Sequence, residues 1–220
     1  PTYPENGDWL YLIAVAPKAS SYSEDEGKVT YTLAGQTDLM YASQISGNRW
    51  DGSRFSNTDG TGTPLTYKHL LTQLTFKAMK KVTGGLSVKV KKITVTTTNS
   101  VILALTNGET SFSGSGELSL ELPDGGTEIS GTTATSLSNS LLLPPLTGTS
   151  DAYKLTVETS IGTFKDLEIT PQSDGGNLSF AGGTSHEITL NIGDKELGIS
   201  SVTVSGWVPV IQNDDLNLVE

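Results

Sequence analysis

Leu86-Ser87-Val88-Lys89-Val90-Lys91-Lys92-Ile93-Thr94-Val95 alternates apolar and polar residues, slips phase at Lys91-Lys92, and then resumes with Ile93 and Val95. Successive side chains of a β-strand point to opposite faces, so this pattern describes a strand buried on one face and wet on the other. The slip reads as a β-bulge, one extra residue that re-aims the chain. Outward from this stretch the same period returns in Leu118, Leu120 and Leu122, in Leu155 and Val157, in Ile188, Leu190 and Ile192, and in Val202 and Val204. Between these runs stand turn signals: Thr83-Gly84-Gly85, Asp124-Gly125-Gly126, Asp174-Gly175-Gly176 and Gly182-Gly183. Many short strands separated by turns predict an all-β sandwich architecture.

Helical periodicity is scarce. The stretch Lys68 to Lys80 is rich in Thr and fits a strand as well as a helix, and a single helical turn is expected near Asp38 to Ala42. The strand reading of the former puts Leu74 and Phe76 inward, Thr75 and Lys77 outward. Residues 46–64 are polar and Gly-rich and read as a long loop or linker, and the Ser/Thr-rich stretch Thr127 to Asn139 reads as an exposed excursion.

The chain has 220 residues, a formal net charge of −10 and no cysteine. A domain of this size buries roughly 70% of its unfolded surface without covalent staples. Nucleic acid is not an expected partner, because phosphate binding needs a dense basic surface. The one basic cluster (Lys77, Lys80, Lys81, Lys89, Lys91 and Lys92) sits mostly at the polar positions of strands and reads as a solvated face. No apolar run approaches the ~20 residues that span a bilayer, and no signal peptide opens the chain. Pro1 is not an initiator residue, so an earlier segment is expected to have been removed.

Catalytic chemistry finds little to stand on. His69 lies in an apolar stretch and reads as a structural, hydrogen-bonded histidine. In Ser185-His186-Glu187 the residue types of a triad adjoin one another, but neighbours on a strand face opposite ways and cannot form a relay. Two distant histidines do not make a zinc site. Asn57, Asp59 and Gly60 lack the later bidentate Glu of a calcium loop, and Asp214-Asp215 and Glu24-Asp25-Glu26 read as solvated charge. The expectation is no catalytic residue, no metal and no cofactor. Among the aromatics, Trp50, flanked by Arg49, Asp51 and Arg54, marks a candidate ligand-contact loop able to stack on a sugar ring. Trp9 and Trp207 adjoin apolar strands and are expected in a core or an interface.

Several strings in order resemble the fimbrillin family, the pilins and pilus-accessory proteins of type V pili in Gram-negative anaerobes. They are Leu12-Ile13-Ala14-Val15-Ala16-Pro17, Asp38-Leu39-Met40-Tyr41-Ala42, Leu65 to Leu71 with Leu74 and Phe76, Phe180-Ala181-Gly182 with Ile188 and Leu190, and Val204-Ser205-Gly206-Trp207. The resemblance runs from about residue 8 to 208. It departs at Val15, where members often carry Tyr, and at His186, where they often carry an aromatic.

The resemblance implies two transthyretin-like or immunoglobulin-like β-sandwich domains, placed here at 1–64 and 65–220, the first short of its opening strands. It also implies export to the cell surface and outer membrane as a lipoprotein, with the lipid anchor absent from this chain. The implied work is that of a structural or accessory pilus subunit in cell adhesion. Partners would be other pilin subunits, joined by strand insertion after removal of an N-terminal strand, and host or bacterial surface ligands. The alternative is a non-polymerising surface module that binds glycans or host proteins.

A sheet lacking one strand exposes unpaired N–H and C=O groups that a donated strand satisfies. The expected accepting groove is lined by Leu10, Leu12 and Ala14 of a strand reaching Ala16. Tyr11, Ile13 and Val15 are apolar too, as in a strand covered on both faces. Val208-Pro209-Val210-Ile211 is the one apolar stretch after Trp207, and Pro209 confines it to an edge or bulge.

Overall fold

The slipped alternation of residues 88–95 is a real strand. The computed structural model describes residues 3–51, 55, 62–83, 86–148, 151–171, 179–193, 196–207 and 210–212. Its strands are β1 (Leu10–Ala16), β2 (Ser21–Ser23), β3 (Lys28–Thr32), β4 (Met40–Gly47), β5 (Leu65–His69), β6 (Thr72–Lys80), β7 (Val88–Thr97), β8 (Ser100–Ala104) and β9 (Thr110–Ser113). They continue with β10 (Gly116–Glu121), β11 (Thr127–Ile129), β12 (Thr135–Leu143), β13 (Tyr153–Thr159), β14 (Thr163–Ile169), β15 (Thr184–Ile192), β16 (Leu197–Gly206) and β17 (Val210–Gln212).

In β7, Val88, Val90, Ile93 and Val95 are buried. Against β13, Glu158 pairs with Lys92 and Thr159 with Val90, which leaves Lys91 as the extra residue of the expected bulge. The inward set begins at Val88, however; Leu86 precedes the strand and is exposed, its carbonyl accepting a hydrogen bond from the Lys80 ammonium at 2.8 Å.

β6 alternates buried and half-buried residues from end to end, with Leu74 and Phe76 inside. That alternation carries Lys80 inward as well, so this lysine is buried and not part of a solvated face. Lys77, Lys81 and Lys92 pair with Glu187, Glu196 and Glu121.

Four sheets result. One has the order β12-β6-β15-β16 and another β10-β7-β13-β14, with β11 also on β7. β12 packs against β10 and β16 against β14, so these two face each other as a sandwich. The third, β1-β4-β5-β17, and the fourth, β2-β3-β8-β9, join residues on either side of position 64: β4 pairs with β5, and β3 with β8. Tyr41 of β4 donates its hydroxyl to the Leu105 carbonyl at 2.9 Å, tying the third sheet to the segment after β8. A continuous set of buried apolar residues runs from Val29 and Tyr41 to Leu190.

Two local expectations are corrected. Asp38 to Ala42 forms no helical turn: β4 starts at Met40, and Tyr41 and Ala42 are buried by pairing with Val15 and Ala14 of β1. Nor is Thr127 to Asn139 an excursion, because it supplies β11 and the start of β12. Single apolar residues, Ile129 and Leu137, anchor those segments in the core, and Thr suits a pleated surface. Of the expected turns, Gly84-Gly85 and Asp174 to Gly176 lie outside the described residues, as do 52–54 and 56–61 of the expected loop.

Candidate functional site

β1 occupies the end of its sheet and, among the described residues, pairs only with β4. Among the described residues that leaves the other edge of β1 without a strand partner. Its residues are half-buried apart from the exposed Tyr11. Ile13 and Val15 pack on the core, whereas Leu10, Leu12 and Ala14 belong to the alternate set on the opposite face of the strand. The register slips between Leu12 and Ala14, where Leu12 faces Ile45 and Ala14 faces Ala42. The β4 strand thus bulges beside the middle of β1.

Immediately beyond the last β1–β4 pair, Leu10 with Gly47, the chain builds a tied turn. Asn48 is buried; its amide nitrogen donates to the Gly7 carbonyl at 2.6 Å and its amide oxygen accepts from the Trp50 backbone N–H at 2.8 Å. Gly7 has a φ of +82°, and a Cβ there would lie 2.3 Å from Cε3 of Trp50. One part of the indole thus rests on Gly7, while the residue as a whole is 69% exposed. Arg49 reaches Glu5 at 3.9 Å. Tyr3 stacks on Phe55 with ring centroids 5.5 Å apart and accepts a hydrogen bond from the Phe55 N–H at 2.8 Å. The structure thus places Arg49 and Trp50 together in one turn, while Arg54 lies outside the described residues. Gly7, Asn48 and Tyr3 were missed from sequence, because their part is to hold the turn across a sequence distance of about forty residues.

The histidines have structural surroundings. His69 Nδ1 is 2.7 Å from Asp38 Oδ2, and its ring stacks on Trp207 with centroids 3.7 Å apart and planes 6° from parallel. Burial raises the Asp38 carboxyl above its ordinary range, opposed by the adjacent His69. Trp207 directly follows β16, and among the described residues β17 pairs with β5 as the outer strand of its sheet. Val208 and Pro209 lie outside the described residues.

His186 is 1% exposed, sits edge-on to Phe180, and has Nε2 2.9 Å from the Thr184 hydroxyl. Burial lowers its pKa to about 4, so the ring is neutral near pH 7. Its neighbours point elsewhere, Ser185 donating to Gln73 Oε1 at 2.7 Å and Glu187 pairing with Lys77. Among the described residues no three His, Asp or Glu side chains gather as metal ligands, and no helix is long and apolar enough to cross a membrane.

Residues 1–207 match the fimbrillin-like family model. No curated protein sequence matches the chain. Among solved structures, a candidate cell adhesion protein from Bacteroides uniformis is similar at a TM-score of 0.62 and 14% identity, over 94% of this chain and 76% of that one. A second candidate cell adhesion protein, from Bacteroides ovatus, gives a TM-score of 0.58 at 16% identity over 94% and 70%. A fimbrial protein from Bacteroides vulgatus gives 0.54 at 17% identity over 89% and 77%. At such identities the likeness concerns the fold.

Proposed function

The chain belongs to the fimbrillin-like family, and from that premise we propose that it is a subunit of a bacterial surface pilus that takes a β-strand from a neighbouring subunit along the open edge of β1. The observation that carries this reading is the position of β1: among the described residues it is last in its sheet and paired on one side, and it is half-buried throughout apart from Tyr11. A strand added there would pair with the outer backbone groups of β1 and bring alternate side chains beside Ile13 and Val15, which already lie against the core. Family membership and the fold shared with a fimbrial protein support pilus-related adhesion as the general work.

Export to the outer membrane surface, with attachment through a lipid carried outside residues 1–220, belongs to the same proposal. So does the lack of a catalytic role. It is supported by the surroundings of His69, held between Asp38 and Trp207, and of His186, held by Thr184 and Phe180.

The test is to mix the protein with a synthetic peptide spanning the C-terminal segment of a co-encoded pilin, then measure melting temperature and mass. A peptide that binds the folded state must raise the melting temperature, and replacing Ile13 by Asp should abolish the gain. If no co-encoded peptide binds or stabilises the protein, strand acceptance at β1 is wrong.

A further inference from the structure

We propose that the turn bearing Trp50 is a binding site for a neutral hexopyranose, stacked on the solvent-facing part of the indole. This goes beyond assembly, because adding a strand to the edge of β1 does not use the Trp50 ring, and either idea can fail alone.

An indole 69% exposed is unusual for the largest apolar side chain, and this one is held in place. Its Cε3 and Cζ3 atoms rest where a Cβ on Gly7 would otherwise be. The backbone beneath it is fixed by buried Asn48, which binds the Gly7 carbonyl on one side and the Trp50 and Asp51 N–H groups, at 2.8 and 3.4 Å, on the other. The turn is therefore ordered before any ligand arrives, which lowers the entropic cost of binding.

The surroundings select the ligand class. Glu5, Asn6, Asp8, Arg49 and Asp51 flank the ring in sequence or across the turn, with Asn6 donating to Asp8 at 2.7 Å and Arg49 reaching Glu5 at 3.9 Å. Protein–protein interface cores are depleted in Glu and Asp, and three of these five residues are acidic, which favours a hydroxyl-rich ligand. A pyranose has the complementary build: an apolar C–H face for the aromatic ring and a rim of hydroxyls for carboxylate, amide and guanidinium groups.

Trp9 and Tyr11, 43% and 59% exposed, lie at the same end of the β1–β4 pair, because Leu10 opens β1 opposite Gly47, which closes β4. They offer further aromatic surface to a ligand longer than one sugar. Among the described residues of this turn Glu5, Asp8 and Asp51 outnumber Arg49, and the whole chain carries −10, so a carboxylated or sulfated sugar is repelled.

The experiment uses the full chain with lactose, cellobiose and sialyllactose, read by saturation-transfer NMR and indole fluorescence. Saturation of lactose or cellobiose ring protons is expected, with sialyllactose weaker. Trp50→Ala should lower affinity by roughly tenfold or more, and Trp50→Phe should restore part of it. Gly7→Ala, which keeps the indole and displaces it, should weaken binding with circular dichroism unchanged. The proposal is overturned if none of the sugars receives saturation, or if binding survives Trp50→Ala intact. It is equally overturned if Trp50→Ala alters self-association alone.

Discussion

Replacing Phe76 by Ala removes a ring that is 2% exposed in the middle of β6. On one side β15 runs parallel, with the fully buried Ile188 at the same level. On the other, Thr75 faces Ser140 and Lys77 faces Ser136, so Leu137, Ser138 and Asn139 together lie opposite Phe76. Asn139 adopts a φ of +66° to close this bulge, a conformation Asn tolerates better than most residues.

Truncating a buried Phe costs about 3–5 kcal/mol, and the cost falls as the surroundings collapse into the cavity. The irregular β12 segment is able to give, whereas the regular β15 ladder is not, which places the expected loss near 3 kcal/mol. With a urea dependence of roughly 2–3 kcal/mol/M for a chain of this length, the unfolding midpoint should drop by about 1–1.5 M at unchanged slope. Lys77→Ala, one residue along on the other face, removes a half-exposed ion pair with Glu187 and should cost less than about 1 kcal/mol. A Phe76→Ala loss no larger than that of Lys77→Ala would refute the inward assignment of the Phe76 face.

His186 should make stability depend on pH. Its folded pKa is about 4, below its ordinary 6.5, so the unfolded chain takes up the proton first as pH falls. The contribution is complete above pH 6.5 and is lost between there and 4, on the order of 3 kcal/mol. Asp38, whose pKa is raised, works in the opposite sense, so the quantity to measure is the difference in urea stability between wild type and His186→Gln across that window. Trp207→Ala should free β17, seen as faster amide hydrogen exchange in Val210–Gln212 with β7 unaffected, since it removes the indole stacked on His69. Gly126→Ala should cost more than about 3 kcal/mol, because φ is +117° and the new Cβ would lie 2.5 Å from the Val90 carbonyl oxygen. Gly125→Ala, with φ +75° and open space, should cost only about 1–2 kcal/mol in thermal unfolding.

The sequence by itself determined which residues become strands wherever one face is apolar over several repeats. β6, β7, β10, β13 and β15 were legible with their inward faces, down to the bulge at Lys91, because the two-residue period is a local property of the chain. Arg49 and Trp50 stood out as an aromatic among charges, but the turn that holds them, tied by Asn48 to Gly7, did not.

Tertiary structure decided the rest. Ile129 and Leu137 are single apolar residues in polar stretches, and only their neighbours across β7 and β6 make strands of them. Asp38 to Ala42 carries a pattern that a helical turn also satisfies, and pairing with β1 resolves it. β1 is apolar on both faces, a pattern that a covered central strand and a strand-accepting one share, and among the described residues it lies at an edge of its sheet. Composition reports how much a strand can bury, whereas its place in the sheet depends on which partners the chain brings to it. In the same way, Gly7 supports Trp50 only because the pairing of β1 with β4 brings together residues more than forty positions apart.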